Sequence, residues 1–415
     1  MAARHFPVRP NLDQLKHQAK DLLRDALAGE PAATADFTAF HPRSIKASEA
    51  KLADAQLVLA RAYGIASWPR LVLACQMTAA IQRDDADAVR ALIVSNPELL
   101  HEDARGTPGN WGPPMSYAAN LGRDRIVQML ADMNATDLQH AFDRACLQGK
   151  IQTARWLLNR GARIERGIAM GPCETQNAAG LKLLIELGAE ICDGDGDRLA
   201  PVALLLQTYS RNPAGKHECL ELLARNGFEL PDTPVMALHR GRIDLLEAHL
   251  QRDSQLPHRR FGYRDVYPLE LGCHADTSLG LHGTPLDGTT LLHMCVDFDE
   301  MEIAQWLIAN GADVNAAASE DADGFGGHTP LFNATVCQSY RVGRRKDDAF
   351  AALLLSHGAA PNVRASLRKR LRFVKDESTH TFRDVTPLAY GQQFHDQDWV
   401  NKAAMKTIAE RGGGV

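Results

Sequence analysis

The chain has 415 residues, 45% of them hydrophobic, and a formal net charge of −5. That length suits two or three domains or one long repeat array, no segment approaches the ~18 uninterrupted apolar residues of a membrane helix, and the negative balance argues against general nucleic-acid binding. Eight cysteines with no C-x-x-C give neither a disulfide framework nor a zinc ribbon, and "MAARHFPVRPNL" lacks the apolar stretch of a secretory signal, so a cytoplasmic protein with reduced, buried thiols is expected.

In chain order, residues 9–30 read as a helix with Asn11 as its cap and Gly29 as its stop. "ASEAKLADAQLVLARAYGIASWPRLVLACQ" (47–76) reads as two more helical segments separated by Gly64 and Pro69. Residues 1–76 are therefore set apart as a helical region, and from 77 onward the chain repeats itself. The clearest unit is "TTLLHMCVDFDEMEIAQWLIANGADVNA", 289–316. Thr290 opens a short helix with Leu291, Leu292 and Cys295 on its apolar face. Ile303, Ala304, Trp306, Leu307 and Ile308 recur at helical spacing in a second helix. Gly311 then stops it in the left-handed conformation that glycine adopts without strain.

This unit closely resembles the ankyrin repeat, down to the closing "GADVNA". Further copies lie at 113–135, 140–162, 183–189, 219–227, 233–250, 329–362 and 386–413, with a degenerate first copy at 79–100. The resemblance covers roughly three-quarters of the chain and implies about nine repeats. The expected fold is all-α: an ankyrin-repeat solenoid over 77–415 with an N-terminal helical cap over 1–76 that shields the apolar end of the array. "LADAQLVLARAYG" and "SWPRL" resemble the helical leader of some bacterial ankyrin-repeat proteins.

Spacing separates early units from late ones. Asn134 to Gly161 and Gly161 to Gly188 are each 27 residues, short of the ~33 of an ordinary unit, so the early loops between repeats, or fingers, are clipped. The late fingers have grown: Asp253 to Thr290 spans 37 residues, Gly311 to Thr329 spans 18, and Gly358 to Thr386 spans 28. The insertions fall at 255–289, 317–328 and 363–385, with two more in helix–helix turns at 337–348 and 393–398. Because stacked repeats project their fingers from one edge, the three long ones are expected side by side.

The middle finger, "DADGFGGHTPL", lacks the Lys and Ser/Thr of a P-loop and follows no βαβ strand. Its glycines read as turn geometry, with a backbone anion site at Gly326 and Gly327, and Phe325 held out as an aromatic contact, as the alternative. His293 occupies the repeat's usual backbone-bonding position, whereas His328 lies outside it and is a candidate acid or base. Asp323 in this finger, and Glu377, His380 and Asp384 in the next, complete a candidate catalytic set. Two such carboxylates also suit a hard cation, although no metal motif or cofactor signature is present. The run "RKRLR" (368–372), with Leu367, Leu371 and Val374 at helical spacing and Lys375 nearby, reads as a short amphipathic helix. Arg368, Lys369 and Arg372 are candidates for anion recognition, and Arg383, with Tyr263 and Tyr267 of the first finger, is a further candidate binding residue. "DGDGD" (193–197) fails as a calcium loop because its twelfth position is Leu204.

The resemblance implies a protein-binding scaffold, here with a partner held by the late fingers. Three consecutive His/Asp/Arg-rich insertions also suit a second reading, a hydrolase or lyase of a small polar substrate with its pocket among those fingers. Fingers that close a deep pocket favour the second reading, and splayed fingers with exposed aromatic tips favour the first.

Overall fold

A computed structural model of the chain describes residues 4–276, 280–343, 345–374 and 376–415. Thr277, Ser278 and Leu279 of the first long finger, Arg344 of the inserted turn, and Lys375 beside the basic run lie outside the described residues. The chain divides into two units, residues 1–164 and 165–415.

The first unit is helical throughout: α1 (Leu12–Leu27), α2 (Pro31–Phe40), α3 (Leu52–Ala62), α4 (Trp68–Gln82), α5 (Ala86–Ser95), α6 (Pro114–Leu121), α7 (Asp124–Asp132), α8 (Leu138–Leu147) and α9 (Ile151–Asn159). Asn11 caps α1, its side-chain oxygen accepting from the Asp13 and Gln14 amides at 3.0 Å. The buried stripe Leu15, Ala19, Leu22 and Ala26 follows the helical period and lets α1 pack on α3. Pro69 sits in the first turn of α4, where a missing N–H leaves no helical bond unmade, so it starts a helix instead of dividing two. Residues on both sides of 76 share that helix. Hairpins α4–α5, α6–α7 and α8–α9 follow, with first helices stacked on first helices and second on second.

The second unit continues the pattern in α10 (Met170–Glu174), α11 (Ala178–Glu186), α12 (Ala200–Gln207), α13 (Pro213–Arg225), α14 (Pro234–His239) and α15 (Ile243–Arg252). Short α16 (Tyr263–Val266) lies in the first long finger, and α17 (Leu291–Phe298) and α18 (Met301–Ala309) form the hairpin seen most clearly in the sequence. Then come α19 (Pro330–Thr335), α20 (Gln338–Val342), α21 (Ala349–Ser356), α22 (Pro387–Gln393) and α23 (Lys402–Glu410). Gly311 closes α18 at φ +88° with open space around it, which a residue with a Cβ adopts only with strain. All eight cysteines are unpaired and buried.

The third finger departs from expectation. Residues 365–370 form a strand, β1 (Ala365–Arg370), paired antiparallel with β2 (Thr379–Val385). The expected amphipathic helix is absent because Leu367 and Leu371, four residues apart, satisfy a period of two as well as one of 3.6. A partner rich in Thr, Phe and Val lies a few residues downstream, and its backbone pairing settles the choice. Among the described residues this hairpin is the one named sheet in a fold that is otherwise helical, as expected.

Candidate functional site: a pocket among three fingers

Backbone and side-chain bonds stitch the three long fingers together. Ser319 N donates to the Gly288 carbonyl at 2.8 Å, and Arg260 Nε to the Ala317 carbonyl at 2.8 Å, joining the first finger to the second. Gly326 N donates to the Ser366 carbonyl at 2.7 Å, and Arg383 Nη1 to the Asp323 carbonyl at 3.1 Å, joining the second to the third. Lys369 Nζ donates to the Gly280 carbonyl at 3.1 Å and closes the set. Behind them, the buried Arg211 guanidinium reaches the Leu281 carbonyl at 2.6 Å and Asp297 Oδ2 at 2.8 Å, tying the first finger to α17.

Between the fingers lies a cavity of about 630 Å³. The first finger contributes Arg260, Tyr263, His282 and Asp287; the second Glu320, Asp321, Phe325 and His328; the third Arg368, Lys369 and Arg370. That is the size of a small-molecule site, and its wall is richer in charged and polar groups than most such sites.

Three of those groups are buried. His328 is 1% exposed, and its Nε2 lies 3.0 Å from the Pro285 carbonyl. A carbonyl only accepts, so Nε2 carries the proton and Nδ1 holds a bare lone pair, for which the described residues supply no donor. Burial pushes this imidazole down to about 4, so it is neutral at ordinary pH. His282, 3% exposed, likewise has an unpartnered Nδ1, and burial with Lys369 nearby holds its pKa well below the usual range. Lys369 is 5% exposed, and burial pushes its ammonium down to about 8.

The glycine loop has its own explanation. Gly324 N donates to the Asp321 carbonyl, Gly326 N to Ser366 and Gly327 N to Ala318, so none of these amides is left for an anion. Gly326 has φ +131°, and a Cβ there would collide with the Ser319 carbonyl. Phe325 is turned in, its ring lying 3.7 Å from the Arg383 guanidinium and 4.8 Å from that of Arg368.

The remaining candidates divide. Arg368 grips Asp321 at 2.5 Å and Asp323 at 2.9 Å, so both carboxylates are engaged within the finger wall. Glu377 accepts from the Phe373 amide at 2.8 Å, Asp384 pairs with Arg364 at 3.0 Å, and His380 pairs with Asp376 at 2.9 Å. The His380 ring also stacks on His395 at 3.8 Å. Of the catalytic set His328, Asp323, Glu377, His380 and Asp384, only His328 lines the cavity. Of the binding set, Tyr263, Phe325, Gly326, His328 and Arg368 line it; Gly327, Arg372 and Arg383 do not, and Tyr267 is sealed in the core. His293 takes the backbone role expected of it: its Nδ1 accepts from Thr290, and its Nε2 donates to the His328 carbonyl at 3.1 Å.

A family model described as ankyrin repeat matches residues 287–319, the stretch that holds α17, α18 and the stop at Gly311. The same helical hairpin recurs within each of the two units, and the match names it as the ankyrin repeat. This is an ankyrin-repeat protein. Human transient receptor potential cation channel subfamily A member 1 is 22% identical over 256 residues, covering 52% of the ankyrin chain and 20% of that protein. The chain thus spans about a fifth of that relative's length. The solved human ASB11 ankyrin repeat domain aligns at a TM-score of 0.26 and 16% identity, over 73% of this chain and 99% of that one. Among the described residues, no helix of this ankyrin-repeat protein is long and apolar enough to cross a membrane.

Sequence reasoning missed His282 and Arg260, and it named Lys369 as an anion contact without placing it inside the fold. "GLHGTP" (280–285) parallels "GGHTP" (326–330), and that echo was the available signal for His282. That Lys369 is buried became visible only once β1 was known: Ala365, Leu367 and Lys369 alternate inward, and a lysine there breaks the apolar pattern.

Proposed function

We propose that this chain, whose repeats generally serve as protein-interaction modules, also holds a small polar molecule in the cavity among its late fingers. The observation that carries this reading is the convergence of all three insertions on one cavity walled by buried, incompletely bonded polar groups. Insertions that merely solvated loops would leave those groups in water; here their desolvation costs about 1–3 kcal/mol for each unmet bond, which a ligand's polar atoms would offset.

Saturation-transfer NMR against a library of small polar compounds tests it. Hits are expected with the intact chain and should vanish in Thr379→Trp, which places an indole on the cavity wall. An absence of hits, or hits indifferent to that substitution, defeats the proposal.

The tip of the third finger favours a second reading, in which the rim captures a protein partner. Phe373 is 66% exposed there, with the Arg372 guanidinium 4.8 Å from its ring, and exposed aromatic–Arg pairs are frequent anchors in protein interfaces. Partner capture that survives replacement of residues 371–378 by a short turn would remove this reading.

A further inference from the structure

The buried charges around Lys369 do not balance. Its ammonium faces the Gly280 carbonyl, and among the described residues no carboxylate lies within ion-pairing distance. Asp297 is the anion whose field reaches it, but Asp297 is already taken: Oδ2 accepts from Arg211 at 2.8 Å, and Oδ1 from the Gln338 amide at 3.4 Å. Arg211 and Asp297 cancel, which leaves one buried positive charge in excess. The neighbouring imidazoles do not compensate. His282 is neutral and carries no charge of either sign, and His380, opposite Lys369 in the strand register, is paired with Asp376. His395, stacked on His380, has its pKa lowered by burial.

The rest of the wall is balanced, with Arg260, Arg368 and Arg370 against Asp287, Glu320 and Asp321, so the excess is that of Lys369. Arg260 and Arg370 have their Nε atoms on the Ala317 and Glu377 carbonyls and form no ion pair among the described residues. Opposing them, Asp321 shares the Arg368 guanidinium with Asp323, and Asp287 Oδ1 accepts from the Tyr263 amide. Glu320 is the remaining wall carboxylate, and it is exposed. Burying an ammonium without a partner is costly enough that proteins usually neutralise it, pair it or use it.

Resting on the pocket reading above, we propose that Lys369 is the charge anchor of the cavity and that its ligand carries an oxyanion, a carboxylate or a phosphate group. The ammonium supplies two donors beyond the one given to Gly280, and the guanidiniums of Arg260 and Arg370 supply further donors toward the same charge. The bare Nδ1 of His328 then suits a hydroxyl or amine donor elsewhere on the ligand, which makes the preferred ligand a hydroxy- or amino-substituted acid or a sugar-phosphate-sized molecule.

The linkage follows in sign. An anion stabilises the charged lysine, so affinity is full below about 8 and falls as pH rises through that value, approaching tenfold per pH unit until the bound form also loses its proton. Calorimetric titration with inorganic phosphate, citrate and neutral glucose, on the intact chain and on Lys369→Met, tests the proposal. One or both anions should bind, weaken at least tenfold in Lys369→Met, and lose their dependence on pH between 7.5 and 9.5 in that variant. Phosphate alone identifies the phosphate class, and citrate alone the carboxylate class. Arg370→Gln provides a second readout, about threefold, should Lys369→Met fail to fold. Anion binding unchanged in either folded variant, or neutral compounds binding the pocket while both anions do not, overturns the anchor and leaves the pocket reading standing. If no compound of any class binds, both fall.

Discussion

The repeats α6–α9 and the repeats from α17 onward use the same helical hairpin, yet different material fills the space beside it. In the early pair the fingers are clipped, and buried Ala118, Phe142, Ala145, Ala154 and Leu157 meet directly, with short polar groups such as Ser116 bonded locally to Asp137. Their longer charges stay outside, as in the exposed Arg160–Asp132 pair at 2.5 Å. In the late repeats the enlarged fingers cover the hairpins, and charge moves inside: Arg211 with Asp297, Lys216 with Glu300 at 2.9 Å, and Lys369 without a carboxylate partner. A finger long enough to fold back can bury polar groups, because it brings the carbonyls that satisfy them. Stability in the first region is therefore a matter of hydrocarbon packing, and in the second buried charge balance is added to a hydrocarbon core.

The sharpest way to break this contrast is Asp297→Asn. It leaves Arg211 charged and buried without its counter-ion, and urea unfolding should show a loss of about 3–5 kcal/mol. A change below about 1 kcal/mol would mean that the buried pair is not what holds the late region together. Leu157→Ala in the early region should cost about 2–4 kcal/mol through cavity formation, and by the same amount at pH 5 and pH 8.

Acid sharpens the difference further. His239, His282, His293 and His328 are buried in the second unit, all with pKa values lowered by burial, to about 3 for His293 and about 4 for His328. The unfolded chain takes up protons near 6.5 while the folded one does not, so stability is full above that value and drains away as pH falls toward 4. For His293 and His328 the loss by pH 4.5 is on the order of 2 kcal/mol each. Hydrogen exchange should show the late fingers losing more protection between pH 6.5 and 4.5 than α6–α9, where the half-buried His140 also has its pKa lowered by burial; equal loss in both regions would dissolve the distinction.

Lys369 acts at the other end of the scale. Burial lowers it from its ordinary 10.5 to about 8, so at about 1.4 kcal/mol per pH unit its charge costs roughly 3 kcal/mol at neutral pH. Without a bound anion, the chain should gain stability as pH rises from 8 toward 10.5, and Lys369→Met should abolish that gain. The smallest effect belongs to the early surface: Asp132→Ala should shift unfolding by less than about 1 kcal/mol, since exposed ion pairs contribute little.

How much of this was legible beforehand depended on the range of the interaction. The α17–α18 hairpin was readable from Thr290 to Gly311 because caps, apolar period and glycine stop all act within one turn of the residues that encode them. The sites of the three insertions followed from spacing alone. The third finger's secondary structure did not, since "ASLRKRLRFV" fits either period and its partner strand decides between them. The candidate site was half visible: Phe325, His328 and Arg368 were found from local chemistry, but Asp323, Glu377 and Asp384 looked catalytic only because a sequence cannot show a carboxylate already paired.

What the sequence determined by itself was the repeat, its family and the place where it is interrupted, because these rest on periodicity and on conformational preferences of single residues. What only tertiary structure decided was which charges meet. Arg211 reaches Asp297 across 86 residues, and Lys369 reaches Gly280 across 89. Whether a buried charge has found its counter-ion depends on distances that no local pattern carries.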